Sequence, residues 1–88
     1  SDFSVEELAA ELNLSRSQLY RKIKALTGQT VSQFIRRIRL ERAKQILERG
    51  NLSISEACYK VGFSSPSYFS KCFKAQFGVL PTEIVPKQ

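Results

Sequence analysis

The stretch VGFSSPSYFSKCFKAQFG, residues 61–78, combines an aromatic stripe with clear helix boundary signals. Ser65 is a good N-cap, and Pro66 suits the first helical turn, where its missing N–H has no intrahelical partner to lose. Gly78 is a natural stop because glycine readily adopts the left-handed conformation that ends many helices. We therefore predict a helix from about Pro66 to Phe77.

The two sides of this helix differ in chemistry. At 100° per residue, a core face is predicted that contains Phe69, Cys72, Phe73 and Gln76. The opposite face has two cations, no acid and no large aliphatic group, and it consists of Pro66, Ser67, Ser70, Lys71 and Lys74. For this helix alone, a solvated surface that merely lacks acids is an equally good interpretation.

A second copy of this pattern lies near the start of the chain. The stretch LAAELNLSRSQLYRKIKALTG, residues 8–28, aligns with ACYKVGFSSPSYFSKCFKAQFG, residues 57–78, if the second copy has one extra residue. The period of about fifty residues is at the edge of the usual repeat range, and two copies are too few for a solenoid. The repeat therefore predicts a pair of equivalent modules.

Each module has the helix boundary signals of a helix-turn-helix. It opens with an amphipathic helix at i, i+3, i+4, i+7 spacing, formed by Val5, Leu8, Ala9 and Leu12 or by Ile54, Ala57, Cys58 and Val61. The next residue is Asn13 or Gly62, and both types take the left-handed conformation readily. A new N-cap, Ser15 or Ser65, follows within three residues. This order predicts two helices joined by a tight turn.

Four capping boxes of the form S/T-x-x-E/Q lie in phase with the apolar periodicity. They are Ser4–Glu7, Ser15–Gln18, Thr30–Gln33 and Ser53–Glu56. Hydrophobic staples are also expected, between Phe3 and Leu8 and between Leu14 and Leu19. These signals predict the helix starts independently of the hydrophobic pattern.

The segment between the modules, residues 31–50, carries two apolar stripes. They lie roughly 140° apart around a helix, and they consist of Val31, Phe34, Ile35 and Ile38, and of Leu40, Ala43, Ile46 and Leu47. One helix serving two cores is predicted. Its length of about 28 Å is close to the ~34 Å between successive major-groove faces of B-DNA, so it could hold two recognition helices about one duplex turn apart.

Charge favours a polyanionic partner. The 88 residues carry a net charge of +6 with a sequence pI of about 9.7. Residues 16–44 contain nine cations and one acid, whereas the charged residues of 2–11 are all acidic. The sequence has no apolar run long enough to cross a membrane and no signal peptide, so we expect a soluble, cytoplasmic segment without membrane contact.

Catalytic and metal chemistry find little support. The chain has no histidine, so the commonest general base and metal ligand are missing. Its two cysteines, Cys58 and Cys72, lack CxxC spacing and fall on predicted core faces, as expected of small buried hydrophobes. A disulfide or a redox role is the alternative. We expect no enzymatic activity, no cofactor and no metal.

The stretches from Leu14 to Leu47 and from Ala57 to Gly78 resemble the DNA-binding domain of AraC/XylS-type transcription regulators. The most specific matches are Gly62-Phe63, Tyr68-Phe69-Ser70, Phe73-Lys74, Phe77-Gly78, and Arg39-Leu40 with Ala43. The resemblance implies a bacterial, all-α domain of about seven helices, with two helix-turn-helix modules joined by a long central helix. The first module is also similar to C-terminal output domains of hybrid two-component sensor-regulators. One departure is Ile84-Val85, where the family has an aromatic-Arg pair.

The resemblance implies that residues 1–88 form a single DNA-binding domain. The first module occupies residues 1–29, the linker helix 30–50, and the second module with a short C-terminal helix 51–88. The family's recognition helices match Arg16 to Leu26 and Pro66 to Phe77. The inward residues of the first are Leu19, Ile23 and Leu26.

These matches and the helix geometry define the candidate DNA-binding residues. In the first module they are Arg16, Ser17, Gln18, Tyr20, Arg21 and Lys24, and in the second they are Ser65, Pro66, Ser67, Tyr68, Ser70, Lys71 and Lys74. Arg21 is suited to bidentate guanine contact, while Ser17, Gln18 and Ser67 can donate to or accept from several bases. Lys24 and Lys74 are phosphate candidates. Tyr20 either faces DNA or packs within the protein.

The linker cations divide further. Arg36 is the best linker candidate for phosphate contact. Arg37 and Lys44 are spaced i, i+4 from Glu41 and Glu48, the pattern of a solvated face. Arg39 lies between the apolar stripes and is expected to be structural.

Three classes of function are open at this stage. The favoured one is sequence-specific double-stranded DNA binding, by two recognition helices in successive major grooves, as the output domain of a bacterial regulator that meets RNA polymerase at a promoter. A sensory or dimerisation region is expected elsewhere in the full-length protein. An RNA-binding module would expose stacking aromatics, but these phenylalanines face inward. A protein-interaction adaptor would expose an apolar patch, which neither recognition face supplies.

Overall fold

The computed structural model describes residues 4–87, and this part of the chain contains six α-helices and no strand. The helices are α1 Val5–Glu11, α2 Arg16–Thr27, α3 Val31–Arg49, α4 Ile54–Lys60, α5 Pro66–Phe77 and α6 Pro81–Ile84. The all-α prediction is confirmed, with six helices in residues 4–87 where the resemblance implies about seven. None of these helices is both long and apolar enough to cross a bilayer.

The chain divides into two compact units, with the boundary inside α3 after Ile38. The first unit contains α1, α2 and the beginning of α3. Its buried residues are Ala9, Leu19, Ile23, Val31 and Ile35, and Val5, Leu8, Leu14 and Phe34 pack against them. Leu14 thus packs against the cluster that contains Leu19, as the predicted staple requires. The predicted staple of Phe3 with Leu8 lies outside the described residues.

The second unit, from Arg39 onward, has a larger core. It is formed by Leu40, Ala43, Leu47, Ala57, Cys58, Val61, Phe63, Phe69 and Phe73. Four phenylalanine rings follow one another through it, with centroid distances of 5.3, 5.7 and 4.6 Å from Phe63 to Phe77. Because α3 supplies Val31 and Ile35 to one core and Leu40, Ala43 and Leu47 to the other, the prediction of two apolar stripes is confirmed.

Both cysteines are free thiols in this second unit. Cys58 is fully buried, its Sγ lies 3.8 Å from the Phe63 carbonyl oxygen, and burial raises the pKa of its thiol. Cys72 is partly buried and packs against the same core. Their interpretation as packing residues is confirmed.

The capping predictions are confirmed at the level of individual hydrogen bonds. Reciprocal boxes form at Ser15–Gln18, Thr30–Gln33 and Ser53–Glu56, while the Ser4 hydroxyl accepts from the Glu7 N–H. At Glu56, the bond from the Ser53 N–H lowers the pKa of the carboxyl. Side chains within three residues of each N-cap therefore determine where these helices begin.

The turns also match their predicted backbone. Asn13 and Gly62, the residues that break α1 from α2 and α4 from α5, have φ of 55° and 101°. Gly28 and Gly78 end α2 and α5 at φ of 73° and 78°. α5 has the predicted bounds, and α2 runs one residue beyond the predicted Leu26.

Two leucines predicted to face the core are exposed instead. Leu12 is 53% exposed, although its repeat counterpart Val61 is 3% exposed, and Leu26 is 81% exposed. α1 has 7 residues and α2 has 12, or lengths of roughly 10 and 18 Å, so α1 is too short to cover the last turn of α2. Leu12 follows α1 as its C-cap, beyond the small cluster of the first unit.

The repeat extends one helix further than the sequence alignment. The Leu80 N–H donates to a Glu83 carboxylate oxygen at 2.7 Å, at the position where the Thr30 N–H meets Gln33. α6 therefore corresponds to the first turn of α3. Ile84 at its end and Val85 directly after it pack against the second core, which gives a packing role to the pair that departs from the family pattern.

α6 stops after one turn. Val85 is extended, with φ −61° and ψ 127°, because the following Pro86 disfavours helical backbone in the residue before it. Pro86 lies beside Gly50, where an added Cβ would be 3.4 Å from the proline Cγ.

Candidate nucleic-acid interface

Helix α2, the first predicted recognition helix, turns its apolar residues inward and its polar residues outward. Leu19 and Ile23 are buried, while Ser17, Gln18, Tyr20 and the cations are exposed. The exposed cations are Arg16, Arg21, Lys22 and Lys24, and the helix contains no acid. The structure thus presents the predicted residues of this helix together on its solvent side.

Two of those residues also hold the helix ends. The Gln18 side-chain oxygen accepts from the Ser15 N–H at 2.8 Å, which leaves the amide NH2 as its donor toward a ligand. The Lys24 ammonium donates to the Gly28 carbonyl at 3.0 Å, beyond the helix C-terminus. An ammonium has three N–H donors, so Lys24 can keep this bond and still meet a phosphate.

Arg16 is engaged within the first unit. One guanidinium nitrogen donates to the Tyr20 hydroxyl at 2.7 Å, and the other lies 3.5 Å from a Glu6 carboxylate oxygen. The bond to Tyr20, with a smaller contribution from the charge of Glu6, raises the pKa of Arg16 further above its ordinary value. Sequence reasoning missed Glu6, and the i, i+4 spacing of Arg16 and Tyr20 was the signal available for the other contact.

Helix α5, the second predicted recognition helix, has no charged side chain in its first turn. The Ser65 hydroxyl accepts from the Tyr68 N–H at 3.3 Å and lies 3.2 Å from the Ser67 hydroxyl. Tyr68 is exposed, and its ring centroid is 6.0 Å from that of Phe63 in the core. Ser67 is exposed, whereas Ser65, Pro66 and Ser70 are partly exposed.

The cations of α5 lie farther along the helix. Lys71 and Lys74 are exposed, and α5 has no acidic residue. The N–H groups of the first turn and the helix dipole favour an anion near the N-terminus, and the two ammonium groups extend the positive surface along the axis. This face can therefore approach a phosphate backbone and present small hydroxyl groups to base edges.

The linker cations are less available. Arg36 is partly exposed and already interacts within the protein. Lys44 is 4.0 Å from the Glu48 carboxylate and lies over the Phe77 ring, 5.2 Å from its centroid. Lys44 therefore has a structural contact beyond the solvated ion pair that its spacing predicted.

Comparison with known sequences agrees with this geometry. A family described as a helix-turn-helix domain matches residues 8–85. Histidine kinase P4 of Formosa agariphila is 48% identical over 81 residues, covering 92% of this chain and 6% of that protein. The Msm operon regulatory protein of Streptococcus mutans is 40% identical over 83 residues, covering 94% of this chain and 30% of that protein. The chain thus spans less than a third of either relative.

Solved structures share the fold. An AraC-type transcriptional regulator from Chromobacterium violaceum superposes with a TM-score of 0.83 at 33% identity, over 93% of this chain and 73% of that one. The DNA-binding domain of AdpA, solved in complex with a target DNA, gives a TM-score of 0.75 at 33% identity, over 92% and 73%.

The fold, the exposed basic faces and these similarities define a helix-turn-helix DNA-binding domain of the kind found in transcription regulators, which is not a class of enzymes. Within that class, the chain belongs to the AraC/XylS family.

Proposed function

We propose that this domain recognises a specific sequence in double-stranded DNA, as the output domain of a bacterial transcription regulator. The observation that carries the proposal is the matched construction of α2 and α5. Each has 12 residues, a serine N-cap, a left-handed glycine at its C-terminus and an exposed face with cations and no acid. Two such helices in one chain supply two recognition elements to a monomer, and we propose that they enter successive major grooves.

Specific side chains divide the work of recognition. Arg21, exposed in the middle of α2, forms a bidentate contact with guanine, while Ser17 and Ser67 reach base edges near the helix N-termini. Lys24, Lys71 and Lys74 neutralise phosphates. Gln18 contributes its amide NH2, and the partly exposed Ser65, Pro66 and Ser70 permit close approach.

The remaining residues act at the edges of this surface. Tyr68 flanks the face of α5, and Arg36 contacts a phosphate from the linker helix. Arg16 and Tyr20 complete the face of α2.

In the full-length protein, residues 1–88 act as one DNA-binding domain, with modules at 1–29 and 51–88 joined by the helix at 30–50. A sensory or dimerisation region lies elsewhere, the protein acts in the cytoplasm, and RNA polymerase at the promoter is a further partner. The similarity to histidine kinase P4 supports placement in a two-component system.

Selection of bound sites from a random duplex library tests the proposal. We expect a preferred sequence and an affinity that falls steeply with salt, because each neutralised phosphate releases counterions. A matched titration with single-stranded RNA distinguishes DNA binding from the alternative function of RNA binding. Equal binding to all duplexes would remove sequence specificity, and tighter binding to RNA would replace the proposal.

A further inference from the structure

The guanidinium of Arg16, the first residue of α2, has two partners of different chemistry. Its Nη2 donates to the Tyr20 hydroxyl at 2.7 Å, and its carbon lies 5.7 Å from the centroid of the Tyr20 ring. Its Nη1 lies 3.5 Å from Oε2 of Glu6 on α1. The two contacts use separate nitrogens, so one can change while the other persists.

The partners differ in how easily DNA can replace them. Tyr20 is a neutral acceptor four residues along the same helix, and its hydroxyl leaves the charge of Arg16 uncompensated. Glu6 offers what a phosphate offers, an anionic oxygen that accepts a charge-assisted hydrogen bond. The Arg16 and Glu6 side chains are 61% and 69% exposed. Exposed ion pairs of this kind are weak and are screened by salt, so a DNA phosphate can compete with Glu6.

We propose that Arg16 contacts a DNA phosphate through Nη1, that Tyr20 is the positioning residue that holds Nη2, and that Glu6 occupies Nη1 in the free protein. Binding exchanges the Glu6 carboxylate for the phosphate. The inference rests on the proposed DNA-binding function and assigns Tyr20 to the orientation of Arg16 rather than to base reading.

The internal repeat shows that this arrangement belongs to one module. In the alignment of the two copies, the counterparts of Glu6, Arg16 and Tyr20 are Ser55, Pro66 and Ser70. None of these three carries a charge or an aromatic ring. The second recognition helix therefore has no equivalent internal anion to displace.

The first test removes the internal anion and uses its neighbour as a control. Glu6→Gln should tighten duplex binding about three-fold at low salt relative to Glu7→Gln, and it should steepen the log-log salt dependence by up to about one. Glu7 is exposed and its backbone N–H caps onto Ser4, so Glu7→Gln removes the same charge in the same helical turn. In the Arg16→Ala background the two variants should bind alike.

The second test addresses Tyr20. Tyr20→Phe keeps the ring and removes the hydroxyl acceptor, so it should weaken binding about three-fold on preferred and random duplexes alike. In the Arg16→Ala background it should have no further effect. Because all these side chains are exposed, each variant should keep the circular dichroism spectrum and the melting temperature of the unmodified domain.

Several results would overturn the inference while the proposed function stands. They are equal affinities of Glu6→Gln and Glu7→Gln, an Arg16→Ala variant with unchanged affinity and salt slope, and a Tyr20→Phe variant with altered base preference. Loss of all duplex binding by the unmodified domain would instead contradict the proposed function itself.

Discussion

Leu19 and Leu26 lie on the same side of α2, seven residues apart, yet they should respond to truncation in opposite ways. Leu19 is fully buried in the first core and Leu26 is 81% exposed. Leu19→Ala removes a buried side chain and leaves a cavity, which costs roughly 2–5 kcal/mol. For a domain of 88 residues, a loss of about 3 kcal/mol lowers the melting temperature by roughly 12–24 °C.

Leu26→Ala should change the free energy of unfolding by less than about 0.5 kcal/mol. The small apolar contact that Leu26 loses is offset by the higher helix propensity of alanine. Urea and thermal unfolding followed by circular dichroism at 222 nm measure both variants against the unmodified domain. Comparable destabilisation by the two substitutions would refute the reasoning, because it would mean that the last turn of α2 is covered in solution.

Three further predictions concern DNA. Arg21→Ala should relax preference at one or two base pairs and cost roughly 1–3 kcal/mol of discrimination, measured by competition between preferred and random duplexes; equal weakening on both would make Arg21 a phosphate anchor. Lys74→Ala should weaken binding to all duplexes and reduce the log-log salt slope by about one, whereas an unchanged slope argues against phosphate contact. Five base pairs inserted between the two DNA segments that the recognition helices contact should lower affinity toward the nonspecific level, because the insertion rotates one segment to the opposite face of the duplex. Ten should also lower it, because they add about 34 Å, and recovery at ten would indicate a flexible linker or two bound molecules.

Helix boundaries could be predicted because their causes are local. The Ser15–Gln18 box and the serine that caps α5 lie within three residues of the groups they satisfy, and Gly78 needs only its own backbone freedom. Hydrophobic spacing likewise identified which faces of α3 enter the two cores. In each case the signal that carries the prediction lies within a short window of sequence.

Coverage of those faces was harder to predict. Periodicity places Leu12 and Leu26 on apolar sides, but it does not say how far the neighbouring helix extends, and both leucines are exposed. The contact between Glu6 and Arg16 has the same origin, since it depends on the angle between α1 and α2 rather than on spacing within either. The predicted DNA contacts of Arg21 and Lys74 remain predictions.

The two copies of the internal repeat differ in how their third helix ends. In the first copy, the third helix continues as α3 and contributes to the next core, whereas in the second copy Pro86 stops the same helix after one turn and turns the chain toward Gly50. Val85 and Pro86 thus end the third helix of the second copy after its first turn. If a helix-forming sequence replaced them, the third helix would continue as α3 does and could be shared with a third unit. This junction is therefore the place to add a further DNA-binding unit by design.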